Sequence, residues 1–153
     1  MKTSADIIAA WCDLAPGYRA EGLTWYQRAH DSARNIARQS GHSVATVGGV
    51  IARLSPAVTW GHNVRAAADL CITGDCDYGG WGPNLERARM ILSDGWTAPP
   101  RGPKIAAFRC NIVWPDHSGA VTIDRHILRW LGLPERVTPA QYRALEVPWR
   151  AAA

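Results

Sequence analysis

The sequence predicts an all-α fold, a compact domain of about eight short helices that takes up residues 1–153. Apolar residues recur at three- and four-residue spacings along most of the chain, which is typical of helices with one buried face. No run of four or more residues alternates between apolar and polar side chains, as a half-buried strand would. A length of 153 residues and a hydrophobic content of 47% fit one globular domain.

Residues that start or end helices delimit each element. Side-chain oxygens suited to capping a helix N-terminus occur at Ser4, Ser43, Asn84, Thr122 and Thr138. Prolines and glycines predict the ends, with a turn at residues 16–17 after the first helix. The predicted helices are residues 5–14, 24–39, 44–54, one from residue 59 or 61 to about 72, 85–92, 103–113, 123–131 and 139–147.

The third of these helices is apolar on nearly every side, which predicts a central, buried position. Gly48 and Gly49 lie inside it, although each Gly costs a helix about 1 kcal/mol relative to Ala. We therefore expect another part of the chain to pack closely against these two residues.

Charge and composition exclude several classes of protein. Seventeen basic and 13 acidic residues leave a net charge of +4, too low for a disordered chain of this hydrophobicity. No apolar run approaches the ~18 residues of a membrane span, and Asp6 and Asp13 interrupt the N-terminal stretch, so we predict no signal peptide and no membrane partner. We expect a cytoplasmic monomer.

The four cysteines do not have the spacing of a metal site. They are Cys12, Cys71, Cys76 and Cys110, and no two form the Cys-x-x-Cys pattern of zinc or iron–sulfur sites. We predict thiols with a structural role or none, and neither a bound metal nor a cofactor.

Three blocks of sequence contain the candidate catalytic residues. Residues 51–59 are I-A-R-L-S-P-A-V-T, and Asn63 and Ala66 follow. Residues 99–106 are P-P-R-G-P-K-I-A, and residues 121–127 are V-T-I-D-R-H-I. Lys104 and Asp124, in the second and third blocks, are twenty positions apart.

Together these blocks resemble the helix-hairpin-helix DNA glycosylases, the superfamily that includes endonuclease III. That superfamily has the motifs L-L-S-x-Q-x-T, L-P-G-x-G-x-K-T-A and, about twenty residues later, V-D-T-H. The resemblance covers residues 44–133, roughly 60% of this chain. The chain resembles a short, divergent member of this superfamily, of phage or actinobacterial type and without an iron–sulfur cluster. It implies a two-lobed helical domain with a helix-hairpin-helix element and an enzyme of base excision or DNA modification.

The resemblance implies that Asp124 and Lys104 are catalytic. Cleavage of an N-glycosidic bond develops positive charge on the sugar, which a carboxylate at Asp124 would stabilise while activating water. An unprotonated Lys104 amine could instead attack the sugar carbon and give lyase activity. From the residues alone, Asp124 could equally cap the following helix, and Lys104 could be a surface lysine.

The remaining candidate residues concern substrate binding. The resemblance implies phosphate contacts at Arg101 and Gly102, and it makes Trp60 a wedge or a stacking plate because Ala57 stands where the superfamily has Gln. Asn63, at a helix start near the expected cleft, could recognise a base or equally cap the helix, and Arg125 could contact a phosphate. Pro100 replaces a hairpin Gly and has no N–H to offer a phosphate. The candidate residues for a base pocket are Trp25, Tyr26, His30 and His126. The aromatic residues could instead belong to the core, and His126 could have a structural role.

Other functions stay open on this scaffold. The protein could modify a DNA base or process a nucleotide without excising a base, or it could bind DNA without catalysis. Arginines that could contact phosphates are Arg53, Arg65, Arg101, Arg109, Arg125 and Arg129.

Overall fold

Eight α-helices form the regular structure of the computed structural model, which describes residues 2–80, 82–96 and 102–152. In chain order they are α1 (Ser4–Cys12), α2 (Pro16–Ser40), α3 (Val44–Leu54), α4 (Trp60–Thr73), α5 (Gly82–Asp94), α6 (Pro103–Val113), α7 (Arg125–Trp130) and α8 (Pro139–Arg150). No strand occurs in these ranges, and the all-α prediction is confirmed.

The buried apolar residues form two clusters, which define a large and a small lobe. The large lobe contains α2 to α6, and its central helix α3 packs against all four of the others. The small lobe contains α7, α8 and the segment before α7, and its buried residues are Ile123, Leu128, Tyr142 and Leu145. Helix α1 packs against α8.

Gly48 and Gly49 allow α3 to approach its neighbours closely, as the sequence predicts. A Cβ atom at Gly48 would lie 2.7 Å from Val113 Cγ2 on α6, and one at Gly49 would lie 2.6 Å from Trp96 Cε3. Arg109 also contacts Trp96, and its guanidinium carbon is 4.5 Å from the ring centre. The helix-propensity cost of two glycines is therefore offset by close packing at the centre of the large lobe.

Several predicted helix ends are wrong. Helix α2 begins at Pro16, far before the predicted Thr24, because proline at the first helical position loses no hydrogen bond. Helix α8 continues past Pro148 to Arg150, since a proline in the last turn removes only one bond of the helix.

Three predicted caps are also wrong. Ser4 is the first residue of α1, and Thr3 is its N-cap. Asn84 lies inside α5, which begins at Gly82. Asp124, rather than Thr122, is the N-cap of α7. Thr122 lies three residues before the start of α7 at Arg125, and it accepts a hydrogen bond from the side chain of Asn111 on α6.

Candidate active site

A cavity of about 560 Å³ lies where residues of both lobes meet. Its volume is in the range of sites that bind small molecules. Helices α2, α4 and α6 and the segment around Asp124 contribute to its lining, together with the α3–α4 connection. The predicted site residues that line it are Trp25, Tyr26, Trp60, Asn63, Lys104, Asp124 and His126.

Aromatic rings form one wall of this cavity. The Trp25 ring lies 4.9 Å from Tyr26, 5.0 Å from Trp60 and 5.8 Å from Phe108, centre to centre. Trp25, Tyr26 and Trp60 are half-buried and pack against the core of the large lobe. Trp25 and Tyr26 therefore belong to the outer layer of the core, and this layer is also the wall of the cavity.

Asp124 combines two roles as well. Its Oδ1 accepts hydrogen bonds from the backbone N–H groups of His126 (2.8 Å) and Ile127 (3.0 Å), which caps α7. The same side chain lines the cavity. Since both cap bonds end on Oδ1, the cap does not use Oδ2.

Buried polar side chains hold the segment that presents Asp124. The Tyr142 hydroxyl on α8 accepts a hydrogen bond from the Ile123 N–H and donates one to the Val121 carbonyl, each at 2.9 Å. Asn111 on α6 donates to Thr122 Oγ1 at 3.1 Å and accepts from Ser118. The backbone before Asp124 is thus fixed from both lobes.

Removing the Tyr142 hydroxyl is expected to loosen this segment. The change Tyr142→Phe leaves the buried Ile123 N–H and the part-buried Val121 carbonyl without this partner, so we expect the free energy of unfolding to fall by about 1–3 kcal/mol. Hydrogen exchange at the Ile123 amide should accelerate. Tyr18→Phe is the matched control, because Tyr18 is exposed and its loss should change stability by less than about 0.5 kcal/mol.

The titration of Tyr142 provides a second check. Burial raises its pKa from 10.0 to about 12. A raised pKa means that the stabilisation is complete below the ordinary value and is lost as pH rises toward 12. Stability measured across this range should therefore fall less in Tyr142→Phe than in the wild type, and an equal fall in both would contradict the assignment.

Lys104 is the basic residue of the cavity. It is the second residue of α6 and half-buried, and burial lowers the pKa of its ammonium group. Attraction to Asp124 opposes this shift, and repulsion from Arg125 adds to it. No ion pair joins Lys104 to Asp124 in the part of the chain that the structure describes. The amine therefore loses its proton more readily than an exposed lysine does.

A family model matches residues 1–151, and its description is a family of unknown function, DUF7178. The chain belongs to this family. No curated protein and no solved structure matches the chain.

Three other predicted binding residues that the structure describes lie outside the cavity lining. Gly102 precedes α6 with a φ of 116°, a conformation that favours glycine and allows a tight turn. Arg125 is exposed at the start of α7. Nδ1 of His30 is 2.9 Å from the Ile112 carbonyl oxygen, so this residue joins α2 to α6. Arg101 lies outside the described residues.

Two of the arginines expected at phosphates are instead buried. Arg53 is 6% exposed and Arg109 is 8% exposed. Arg109 donates from Nε to the Ala45 carbonyl and packs against Trp96 and Trp114. These contacts give Arg109 a role in the large lobe rather than at a DNA surface.

The structure assigns no special chemistry to the cysteines. All four are free thiols, and burial raises the pKa of Cys71 to about 12, which makes it a poor nucleophile. Among residues 2–80, 82–96 and 102–152, no group of three or more His, Cys, Asp or Glu side chains is placed to hold a metal ion. None of the helices in these ranges is long and apolar enough to cross a membrane.

Sequence reasoning missed part of the cavity lining. Phe108 is the most informative omission, because it lies four residues after Lys104 and therefore on the same face of α6. The four-residue spacing from Lys104 is the sequence signal that could have identified Phe108. The other missed lining residues are Gly22, Ser55, Val58, Thr122 and Ile127.

Proposed function

We propose that the protein is a DNA N-glycosylase-like enzyme that takes a nucleotide into the cavity between its lobes and cleaves the bond between base and sugar. One observation carries this proposal: Asp124 and Lys104 line the same cavity, and aromatic rings form its wall. The resemblance of the three sequence blocks to helix-hairpin-helix glycosylases points to the same two residues.

The aromatic wall suits a nucleotide base. A base that leaves the DNA stack loses its stacking partners, and aromatic side chains in a pocket replace them. Trp25 and Trp60, whose ring centres are 5.0 Å apart and inclined by 53°, offer such surfaces. The proposed substrate is therefore a flipped base, with Trp60 beside it at the start of α4.

Asp124 would act on the sugar. As the base departs with the electron pair of the glycosidic bond, positive charge develops at the sugar, and a carboxylate beside it lowers the energy of that state. The carboxylate can then take a proton from a water molecule that attacks the same carbon. The cap bonds hold the Asp124 carboxylate in one orientation throughout.

Excision is tested with duplex and single-stranded oligonucleotides that carry a panel of normal, damaged and modified bases. We expect at least one substrate to release a free base and to break on heating in alkali. No abasic site on any substrate would reject glycosylase activity. Mass analysis of the nucleosides distinguishes the alternatives: a base of changed mass indicates modification, and unchanged DNA that is bound indicates a binding module.

Lys104 would provide lyase chemistry if its amine attacks the sugar carbon and displaces the base. The resulting imine is reduced by borohydride to a stable amine, which links protein to DNA. The chain has two lysines, so Lys2→Ala is the matched control. We expect Lys104→Ala to abolish the adduct and Lys2→Ala to retain it.

The pH dependence of trapping follows from the lowered pKa of Lys104. Only the unprotonated amine attacks, so the rate of adduct formation should rise with pH and level off below 10.5, the ordinary pKa of lysine. An adduct that persists in Lys104→Ala would exclude this residue as the nucleophile.

A further inference from the structure

Asn63 carries a buried hydrogen-bond acceptor that has no partner. The residue lies on α4, is 1% exposed and lines the cavity. Its Nδ2 donates to the Ile51 carbonyl at 3.1 Å, whereas its Oδ1 has no hydrogen bond. Buried acceptors are rarely left unpaired, so this atom points to a missing donor.

The orientation of the amide follows from its known partner. The Ile51 oxygen is an acceptor, so the group that faces it must be the NH₂ end of Asn63. Exchanging the two ends would place two acceptors against each other and leave the NH₂ group unpaired instead. The oxygen is therefore the end of the amide that remains for another molecule.

A helix cap does not explain Asn63. Thr59 is the N-cap of α4, and its Oγ1 accepts a hydrogen bond from the His62 N–H. Asn63 follows Trp60 by three positions and so lies on the same face of the helix. Asn63 and Trp60 thus belong to one wall of the cavity.

We propose that the cavity selects a flat heteroaromatic ring that presents an N–H group, and that Asn63 Oδ1 accepts its hydrogen bond. This inference rests on the proposed function, since it assigns a recognition residue to the same site. It names the substrate class as bases with an exocyclic amino group or a ring N–H at the edge that faces α4. A base that offers only acceptors there leaves Oδ1 unpaired and binds more weakly.

Three other polar side chains of the lining already have partners. Ser55 donates its hydroxyl to the Ala52 carbonyl, and Thr122 accepts from Asn111. Asp124 Oδ1 accepts the two bonds that cap α7. Asn63 is the residue of this lining that combines near-complete burial with an unpaired acceptor among the described residues.

The test compares pairs of nucleosides that differ in one N–H donor, using the wild-type protein and isothermal titration calorimetry. The pairs are deoxyadenosine with the purine deoxynucleoside, deoxycytidine with the pyrimidinone deoxynucleoside, and thymidine with 3-methylthymidine. We expect at least one parent to bind and its donor-less counterpart to bind about tenfold more weakly. In the first two pairs the counterpart is smaller, so a steric clash cannot explain the difference.

The variant Asn63→Ala should reduce the ratio within that pair to about one, because neither ligand then meets an acceptor. Asn35→Ala is the control, since Asn35 is exposed on α2 and outside the cavity lining. If Asn63→Ala does not fold, the comparison of ligand pairs on the wild-type protein tests the inference by itself.

Two results would overturn the inference. Equal binding of a parent and its donor-less counterpart to the wild type would mean that Oδ1 bonds to a buried water molecule instead of a base. That result leaves excision activity, and with it the proposed function, untouched. Failure of every parent nucleoside to bind would also reject the inference. The oligonucleotide assay alone would then test the proposed function.

Discussion

The change Asp124→Asn is expected to lower the rate of base excision by about 10²- to 10⁴-fold, the usual contribution of a positioned acid–base group. The neutral amide cannot stabilise positive charge on the sugar as a carboxylate does, and it cannot take a proton from water. Single-turnover rates with the substrate found in the excision screen measure this loss.

The fold should survive this substitution. Asp124 caps α7 through Oδ1, and asparagine is as good an N-cap as aspartate. We therefore expect Asp124→Asn to unfold at the same urea concentration as the wild type, whereas Asp124→Ala loses about 1 kcal/mol of stability with the cap. Loss of activity in Asp124→Asn then reports chemistry and not folding.

An exposed carboxylate provides the control for charge. Asp116→Asn removes the same charge outside the cavity and should leave excision unchanged. If Asp124→Asn retains more than about a tenth of the wild-type rate, the residue is a helix cap without a catalytic role.

Substituting Gly49 with Ala is expected to destabilise the protein by about 1–3 kcal/mol. The new Cβ atom would lie 2.6 Å from Trp96 Cε3 and 3.3 Å from Ile91 Cγ2. Arg109 packs on the Trp96 ring at 4.5 Å, so a shift of Trp96 would disturb that contact as well. This overlap outweighs the gain of about 1 kcal/mol that alanine brings to a helix.

Gly61→Ala is the matched control for Gly49→Ala. Gly61 lies on α4, and a Cβ atom there would meet nothing within 4 Å. The same substitution should therefore raise stability by up to about 1 kcal/mol. Because 1 kcal/mol corresponds to about 2–4 °C in a protein of this size, thermal unfolding separates the two variants. Equal melting temperatures would contradict the close packing of α3 against Trp96.

Local sequence predicted the fold best where a helix has clear signals at both ends. Ser43 and Pro56 bracket α3, and Pro103 starts α6, so both helices were predicted with the bounds that the structure has. The start of α2 was missed because a proline can follow the end of one helix or occupy the first position of the next. The packing of the chain, and not the local sequence, determines which of these two positions Pro16 takes.

Sequence motifs predicted individual residues of the candidate site but not the cavity that brings them together. Asp124 and Lys104 came from the resemblance, and the cavity that they share is a tertiary property. The hydrogen bonds of Tyr142 to the backbone before Asp124 join residues 19 and 21 positions apart. The unpaired oxygen of Asn63 depends on its contact with Ile51 in another helix. No pattern along the chain contains such information.

The aromatic wall constrains how this site can change over evolution. Trp25 and Trp60 support the core of the large lobe on one side and line the cavity on the other. A mutation that reshapes this wall also disturbs folding, so new specificities have few routes through it. His126, on the exposed first turn of α7, is freer to vary, and divergence of ligand preference among homologues should concentrate there.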